Sequence, residues 1–349
     1  MCSTHWLLLA ALAADWAGTS VVIDREPGQY FGHPTTALLE DGKTVLAVYP
    51  KGHGKGAIIL KRSTDRGRTW SPRLPVPDNW STSLETPTIH RISKKRVLLF
   101  SGLYPIRMAS SDDEGKTWTP LAPIGDYGGI VAMGDVIRRK DGTLLAFFHD
   151  DGRYLRNTGK AGQFYVYQVR SKDEGRTWSQ PEVIATRPDV DLCEPGVVRS
   201  PDGNEVALLL RENRRRMHSF VIFSRNDGDT WSLPQEVSNE MTGDRHRLAY
   251  FKDGRLLAVF RDTSFDSAMR GDFVAWVGHY EDLHNAGRGE MRVRLLDNKN
   301  AWDCGYAGLE RFPDGSFLTV TYGHWDEGQP PYILGVLLPA STAQWPVHP

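Results

Sequence analysis

Short apolar runs alternate with polar turn clusters along most of the chain. An Asp-Gly turn precedes an aliphatic run in five places. They are Asp41-Gly-Lys-Thr-Val-Leu-Ala-Val-Tyr49, Asp141-Gly-Thr-Leu-Leu-Ala-Phe-Phe148, Asp202-Gly-Asn-Glu-Val-Ala-Leu-Leu-Leu210, Asp253-Gly-Arg-Leu-Leu-Ala-Val-Phe260 and Asp314-Gly-Ser-Phe-Leu-Thr-Val-Thr321. A degenerate sixth copy is Ser93-Lys-Lys-Arg-Val-Leu-Leu-Phe100. Most follow another short apolar stretch, such as Gly196-Val-Val-Arg199, and an Asp-Gly turn between two such runs predicts a β-hairpin. Continuous Val, Leu and Phe predict strands covered on both faces. There is no long amphipathic helical pattern, which sets aside helical bundles and dinucleotide-binding α/β folds.

A second repeat interleaves with the first. The octapeptide Ser-x-Asp-x-Gly-x-Thr-Trp occurs at Ser63–Trp70, Ser111–Trp118 and Ser171–Trp178, and with Asn226 for the Asp at Ser224–Trp231. Its Asp or Asn caps turn amides, its Gly takes a positive φ, and Thr-Trp starts the next strand with a packing anchor. Six hairpins at roughly fifty-residue spacing, four followed by such a box, predict a radial array of six four-stranded blades. The fold class is all-β, a six-bladed β-propeller over residues 21–349.

Composition narrows what this ring does. Its 349 residues carry 42 basic and 43 acidic side chains, so net charge leaves no footprint for nucleic acid or anionic lipid. No apolar run reaches the ~20 residues of a membrane-spanning helix. Three cysteines, Cys2, Cys193 and Cys304, make neither a disulfide framework nor a zinc site. At the amino terminus, Trp6–Ala14 is apolar and small residues follow. This resembles a secretory signal over residues 1–20, though without a basic leading segment, and predicts a secreted or periplasmic protein. The other reading of those residues is a first strand or helix that packs on the domain.

The octapeptides are Asp boxes, and the chain resembles the sialidase (neuraminidase) superfamily of six-bladed propeller glycoside hydrolases over roughly residues 25–340. In that family the boxes lie on the periphery, so function rests on the axial ends of the inner strands. Asp191-Leu-Cys-Glu194-Pro, followed by Leu210-Arg211, resembles the strand pair that carries an acidic residue and an Arg. Gly305-Tyr306-Ala-Gly-Leu309 resembles the last-blade strand with the nucleophilic Tyr. Met269-Arg270-Gly-Asp resembles the segment with a further substrate-binding Arg. The resemblance implies Tyr306 as nucleophile, Glu194 as its base, and Arg211 and Arg270 as a carboxylate clamp, with Arg247, His33 and Asp150 as further substrate-binding candidates on the rim. The chemistry is coherent. A neutral Tyr approaches a carboxylate-bearing anomeric carbon without charge repulsion, a Glu can take its proton, and Arg forks match a carboxylate.

Two positions depart from the family. Gly32 stands where its first-blade Arg does, and the loop Pro50-Lys-Gly-His53-Gly-Lys-Gly56 has no carboxylate where the acid/base Asp belongs. His53 is nearest that position, and a His can donate and accept a proton near neutrality. Asp150 or Asp151 is the alternative acid. The expected activity is exo-acting, retaining hydrolysis that releases a terminal sialic acid or related 2-keto sugar acid from a glycan. The alternatives are a propeller hydrolase or lyase on another acidic sugar, and a non-catalytic glycan-binding propeller. No metal or organic cofactor is implied. The basic run Arg214-Arg215-Arg216 is expected to be a solvated turn, and Cys193 and Cys304 small buried fillers.

Overall fold

The computed structural model describes residues 12–155, 162–300, 302–345 and 347–348. Nearly all its regular elements are strands, and its one α-helix is the five-residue Glu281–Asn285. Six antiparallel sheets follow one another along the chain as the blades of a propeller. Blade 1 is Thr35–Leu38, Val45–Pro50 and Ile58–Ser63, and blade 2 is Thr88–Arg91, Val97–Ser101, Arg107–Ser111 and Ala122–Pro123. Blade 3 is Ile130–Arg138, Leu144–Asp150, Tyr165–Ser171 and Glu182–Ala185, and blade 4 is Leu192–Arg199, Val206–Glu212, Phe220–Ser224 and Gln235–Glu236. Blade 5 opens with Gly243–Tyr250, Leu256–Asp262, Phe273–Gly278 and Met291–Leu296. Blade 6 is Gly305–Arg311, Phe317–Gly323 and Tyr332–Leu338, completed on its outer edge by Ser20–Asp24. That last pairing, with Ser20 opposite Val336 and Val22 opposite Leu334, joins the start of the chain to its final blade and closes the ring.

Four strands per blade holds in blades 2, 3, 4 and 6 and fails in two. Blade 1 has three. After its third strand the chain does run alongside, bonding through the amides of Ser71 and Leu74. Pro72, Pro75 and Pro77 lack the N–H groups a regular ladder needs. Blade 5 has six, because Leu12–Trp16 adds parallel to Met291–Leu296 and Val347–His348 adds beyond it. Leu12–Trp16 lies within the stretch that resembles an export signal, whose residues 1–11 fall outside the described ones.

The continuous apolar runs are covered on both faces, as their pattern predicts. In Val45–Pro50, Leu46 and Val48 pack with Ile89, Val97 and Leu99 of blade 2. The alternate residues Val45 and Tyr49 pack with Leu318, Val320 and Tyr322 of blade 6. Period-2 alternation therefore joins neighbouring blades rather than separating core from solvent.

Each Asp box ties its own turn and then locks onto the preceding blade. The Ser63 hydroxyl donates to Asp65 (2.8 Å) and accepts the Gly67 amide (2.8 Å), and Asp65 accepts the Thr69 amide and hydroxyl at 2.9 and 2.6 Å. Boxes two and three repeat this. In the fourth, the Asn226 amide donates to the Thr230 hydroxyl instead. The turn needs two left-handed residues, so the residue before each Gly also has φ near 60°, as in Arg66 (63°) and Glu174 (60°). The box glycines are required by contact as well as by φ. A Cβ on Gly67, Gly115, Gly175 or Gly228 would lie 2.3–2.6 Å from a methyl of Leu318, Leu46, Leu98 or Leu145, each on the blade before. Trp178 and Trp231 meet Phe100 and Phe147 of the preceding blade edge-on, at 5.7 and 5.8 Å.

Gly228→Ala therefore combines a disfavoured φ of 92° with a methyl driven into Leu145. The expected loss is about 2–4 kcal/mol, read as a lower urea midpoint at unchanged slope. An unchanged midpoint would show that the blades separate easily enough to admit the methyl.

Candidate active site

The inner strands of blades 3 to 6 all break their ladder register near the axial end. In blade 4, Glu194 and Pro195 oppose only Leu210, in blade 5 Arg245 and His246 oppose Phe260, and in blade 6 Tyr306 and Ala307 oppose Thr321. Blade 3 loops out Val131–Gly134 opposite Phe148. These are β-bulges, which re-aim a side chain out of the pleat. The first bulged residue is left-handed in each case: Glu194 (φ 52°), Arg245 (56°) and Tyr306 (52°), with Val131 (47°) and Met133 (49°) in blade 3. His33, just before the inner strand of blade 1, matches them at 52°. Left-handed non-glycine residues are costly and cluster where function requires an orientation. Here they present His33, Glu194, Arg245 and Tyr306 at one end of the axis.

At that end the Tyr306 hydroxyl donates to Glu194 Oε1 in a short hydrogen bond. Arg211 Nη1 donates to the same oxygen (2.6 Å) and to the Tyr306 hydroxyl (3.2 Å). Burial, and next the Glu194 charge, push the Tyr306 phenol far above its ordinary range, so it rests protonated. The backbone N–H of Glu194 points at His149 Nδ1 (3.4 Å), consistent with a neutral His149, whose pKa burial lowers to about 4. Glu85 projects from blade 2 into the same region. Burial raises its carboxyl, and the Glu194 charge adds to the rise.

Behind this trio sits Asp244, fully buried, at the centre of three guanidiniums. It lies 3.1 Å from Arg211 Nε, 2.8 Å from Arg261 Nε and 2.7 Å from Arg215 Nη2. Burial alone would raise its carboxyl. The charges of Arg261 and Arg211 and the bonds from Arg215 outweigh that and hold it far below the carboxylate range. Arg261 also donates to the carbonyls of Trp302 and Cys304, which fixes the segment leading into Tyr306. Arg245 is fully buried and makes no ion pair among the described residues. It donates to the carbonyls of Gly134 (2.9 Å) and Pro195 (3.4 Å), and a Cβ on Gly134 would strike it at 2.4 Å.

A second network lies beside the trio. His33 packs against the rings of Tyr306, Tyr322 and His53 with centroids 4.4, 4.6 and 4.7 Å away. Tyr30 connects His53 Nδ1 (2.6 Å) with Asp303 Oδ1 (2.7 Å), and His324 Nε2 reaches Asp303 Oδ2 at 2.9 Å. The His53 side chain is 68% exposed, so it faces the open mouth.

Sequence reasoning named Tyr306, Glu194, Arg211, His53 and His33, and the structure gathers all five. The ring nitrogens of His33 are taken by the Gly54 amide and Tyr322, so it backs Tyr306 rather than offering a free group. Arg270 is exposed and lies over the rings of Trp302 (5.0 Å) and Phe265 (5.9 Å) at the mouth. Arg247 is placed elsewhere. It pairs with Asp135 and lines a groove of about 270 Å³ with Thr36, His90 and Glu310, at the opposite end of the axis. The bulge explains the displacement, because it shifts the axial position two residues upstream to Arg245. Asp150 is also unavailable. Fully buried, it accepts the amides of Gly152, Tyr154 and Leu155 and ties its own loop. Asp151 pairs with Arg153. Arg215, expected in a solvated turn, reaches inward to Asp244. Gly32 has a steric reason, since a Cβ there would meet the Tyr30 ring at 2.7 Å. Asp244, Asp303 and Tyr30 were missed. The only signal for Asp303 was its place three residues before Tyr306.

Among the described residues no cluster of three or more His, Cys, Asp or Glu is arranged to hold a metal ion, and no helix is long and apolar enough to cross a membrane. A family model described as a BNR repeat-like domain matches residues 8–191 and 106–318. A sialidase of Clostridium perfringens is 26% identical over 268 residues, which cover 72% of this chain and 59% of that protein. The chain thus spans about three-fifths of that relative's length. A solved structure of unknown function from Dyadobacter fermentans matches with a TM-score of 0.73 at 17% identity, covering 93% of this chain and 98% of that one. An α-L-arabinanase of Penicillium chrysogenum, solved with arabinobiose, matches at 0.64 and 14% identity (91% and 98%). A Hadza microbial sialidase matches at 0.64 and 17% (88% and 65%).

The arginine cluster depends on Asp244. Asp244→Ala leaves Arg261 and Arg211 buried without their shared counter-charge, and the expected loss is about 3–5 kcal/mol, measured by urea unfolding. Stability equal to wild type would show that the guanidiniums find compensation elsewhere.

Proposed function

The chain belongs to the BNR repeat-like domain family, as a divergent member of the sialidase superfamily, and from that premise we propose that it is an exo-acting, retaining glycoside hydrolase of sialidase type. The observation that carries this reading is the hydrogen-bonded trio Tyr306–Glu194–Arg211 at the axial mouth. Tyr306 Oη attacks the anomeric carbon while its proton passes to Glu194 Oε1 along the bond already made. Arg211, 3.2 Å from the phenol oxygen, offsets negative charge on that oxygen as the proton leaves. His53 at the mouth protonates the departing glycosidic oxygen. In the second step it takes a proton from the water that releases the sugar, and Tyr306 departs with the proton held by Glu194. The substrate is a terminal sialic acid or related 2-keto sugar acid, and Arg270 approaches its carboxylate with Arg211.

A second reading draws on charge. Gly32 removes one arginine of the family's clamp, and Arg211, Arg215 and Arg261 already share Asp244. Among the described arginines at this end of the axis, Arg245 and Arg270 lack an ion pair, and of the two only Arg270 is exposed. This favours a glycosidase for a sugar that asks less of a carboxylate clamp. The arabinanase likeness is of fold alone and is compatible with either reading.

Turnover of an aryl sialoside and an aryl α-L-arabinofuranoside, side by side, decides between them. The expected result is sialoside hydrolysis, reduced at least a hundredfold in Tyr306→Phe and Glu194→Gln. Hydrolysis of the arabinoside alone would overturn the substrate. Equal rates in wild type and Tyr306→Phe would overturn the nucleophile. His53→Ala should lose the basic limb of the pH–rate profile, and an intact limb and rate would exclude His53.

A further inference from the structure

We propose that Asp303, acting through the Tyr30 hydroxyl, is the positioning residue that makes His53 a proton donor in a His–Tyr–Asp relay. The proposal deepens the glycosidase reading and rests on it for the catalytic consequence. The geometry supplies the rest. The Asp303 carboxylate can only accept, and Tyr30 donates to its Oδ1 at 2.7 Å. Tyr30 has a single hydroxyl proton, so at 2.6 Å from His53 Nδ1 its oxygen must be the acceptor. His53 therefore carries a proton on Nδ1 and turns Nε2 to the open mouth. Burial, and then the Asp303 charge, push the Tyr30 phenol far above its usual range, so it keeps the proton it gives to Asp303.

The neighbouring groups reinforce this orientation. Gly54 N–H donates to His33 Nδ1 (3.1 Å), which puts the His33 proton on Nε2, facing the Tyr322 oxygen at 3.3 Å. Tyr322 in turn donates to Asp303 Oδ1 at 3.3 Å. On the other carboxylate oxygen, His324 Nε2 lies at 2.9 Å, and its Nδ1 faces the Gln329 carbonyl at 2.9 Å. Burial would raise the Asp303 carboxyl. Its bonds to His53, Tyr30 and His324 overcome that and hold it well below the carboxylate range, so it stays an anion while His53 exchanges protons. The groups facing His53 are Tyr30, His33 and Asp303, with Glu85 across Gly54, and Arg261 and His324 beyond Asp303.

The step balances without any further reactant. The His53 imidazolium gives its Nε2 proton to the glycosidic oxygen as the C–O bond breaks, and the neutral ring recovers a proton from the attacking water. The Asp303–Tyr30 pair holds the other ring proton on Nδ1, which leaves Nε2 as the atom that gives and recovers the transferred proton.

The test pairs histidine ring NMR with kinetics. Ring nitrogen spectra are recorded for isotope-labelled wild type, Asp303→Asn and Tyr30→Phe, with the His53 resonances assigned by their loss in His53→Gln. The expected result is a neutral His53 ring with its proton on Nδ1 in wild type, and a shift of that proton toward Nε2 in both variants, where the Tyr30 oxygen no longer has to accept from Nδ1. Kinetics are read on the substrate that wild type turns over. The kcat falls at least tenfold in Asp303→Asn with KM within twofold, and Asp303→Glu restores part of the loss. A His53 tautomer unchanged in both variants would overturn the relay. Tyr30→Phe keeps the ring, so it serves if Asp303→Asn fails to fold. The NMR arm needs no turnover. Absence of glycoside hydrolysis by wild type would therefore count against the proposed function, while an unchanged His53 tautomer counts against the relay.

Discussion

A propeller blade consumes both faces of its inner hairpin in packing against its neighbours, which limits how many polar side chains the regular ladder brings to the axial mouth. The bulges remove this constraint. By opposing two residues to one, and placing the first in the left-handed region, the strands of blades 4, 5 and 6 turn Glu194, Arg245 and Tyr306 out of the pleat at matching heights. The Glu194–Tyr306 contact at the heart of the axial cluster depends on that turn. Each such residue costs on the order of 1 kcal/mol or more in backbone strain, which persists because the rest of the ring over-determines it. The Asp boxes and the strand pairing between Ser20–Asp24 and Tyr332–Leu338 supply that rigidity at the rim.

Electrostatics adds a second layer with the same logic. Arginines brought to the axis would repel one another and lose hydration, so the cluster is viable only around an internal anion. Asp244 provides it, contacting guanidiniums from blades 4 and 5 at once. One result is that Arg211 is aimed, through its Nη1, at Glu194 and Tyr306, while its Nε is spent on Asp244. The fully buried Arg245 is the counterpoint. With no carboxylate to pair it, it is held by two backbone carbonyls, and burial lowers its pKa. It serves as a structural strut across blades 3, 4 and 5.

How legible this was in the sequence follows from how local each feature is. The Asp boxes were readable because eight consecutive residues carry every hydrogen bond of the turn. The blade count was readable because each hairpin repeats its own Asp-Gly turn. Glu194, Tyr306 and Arg211 stood in motif context and could be carried over one by one. Arg247 was misplaced by two residues because the bulge that moves the axial position to Arg245 leaves no mark in the hydrophobic pattern. Asp150 looked exposed at a rim, yet its partners are amides of the loop that follows it, which composition cannot reveal. Asp244 and Arg215 lie on different blades and become partners only when the ring closes. Blade 1 lost its fourth strand to Pro72, Pro75 and Pro77, a signal that was present but counted as loop.

The separation between rim and axis also leaves the mouth free to vary without endangering the fold. Tyr30 fills the space a side chain on Gly32 would need, and it is held there by its bonds to His53 and Asp303. The bare position at Gly32 and the bridge from His53 to Asp303 are therefore parts of one arrangement built on a single aromatic residue. Asp303 lies in the segment entering the inner strand of blade 6, three residues before Tyr306. That segment is anchored by Arg261 through the carbonyls of Trp302 and Cys304, and Arg261 is anchored by Asp244. The position of Asp303 thus depends, through carbonyl hydrogen bonds to Arg261 and the Arg261–Asp244 ion pair, on the same buried anion that aims Arg211, which couples the geometry of the Tyr30–Asp303–His53 network to that of the Tyr306–Glu194–Arg211 trio.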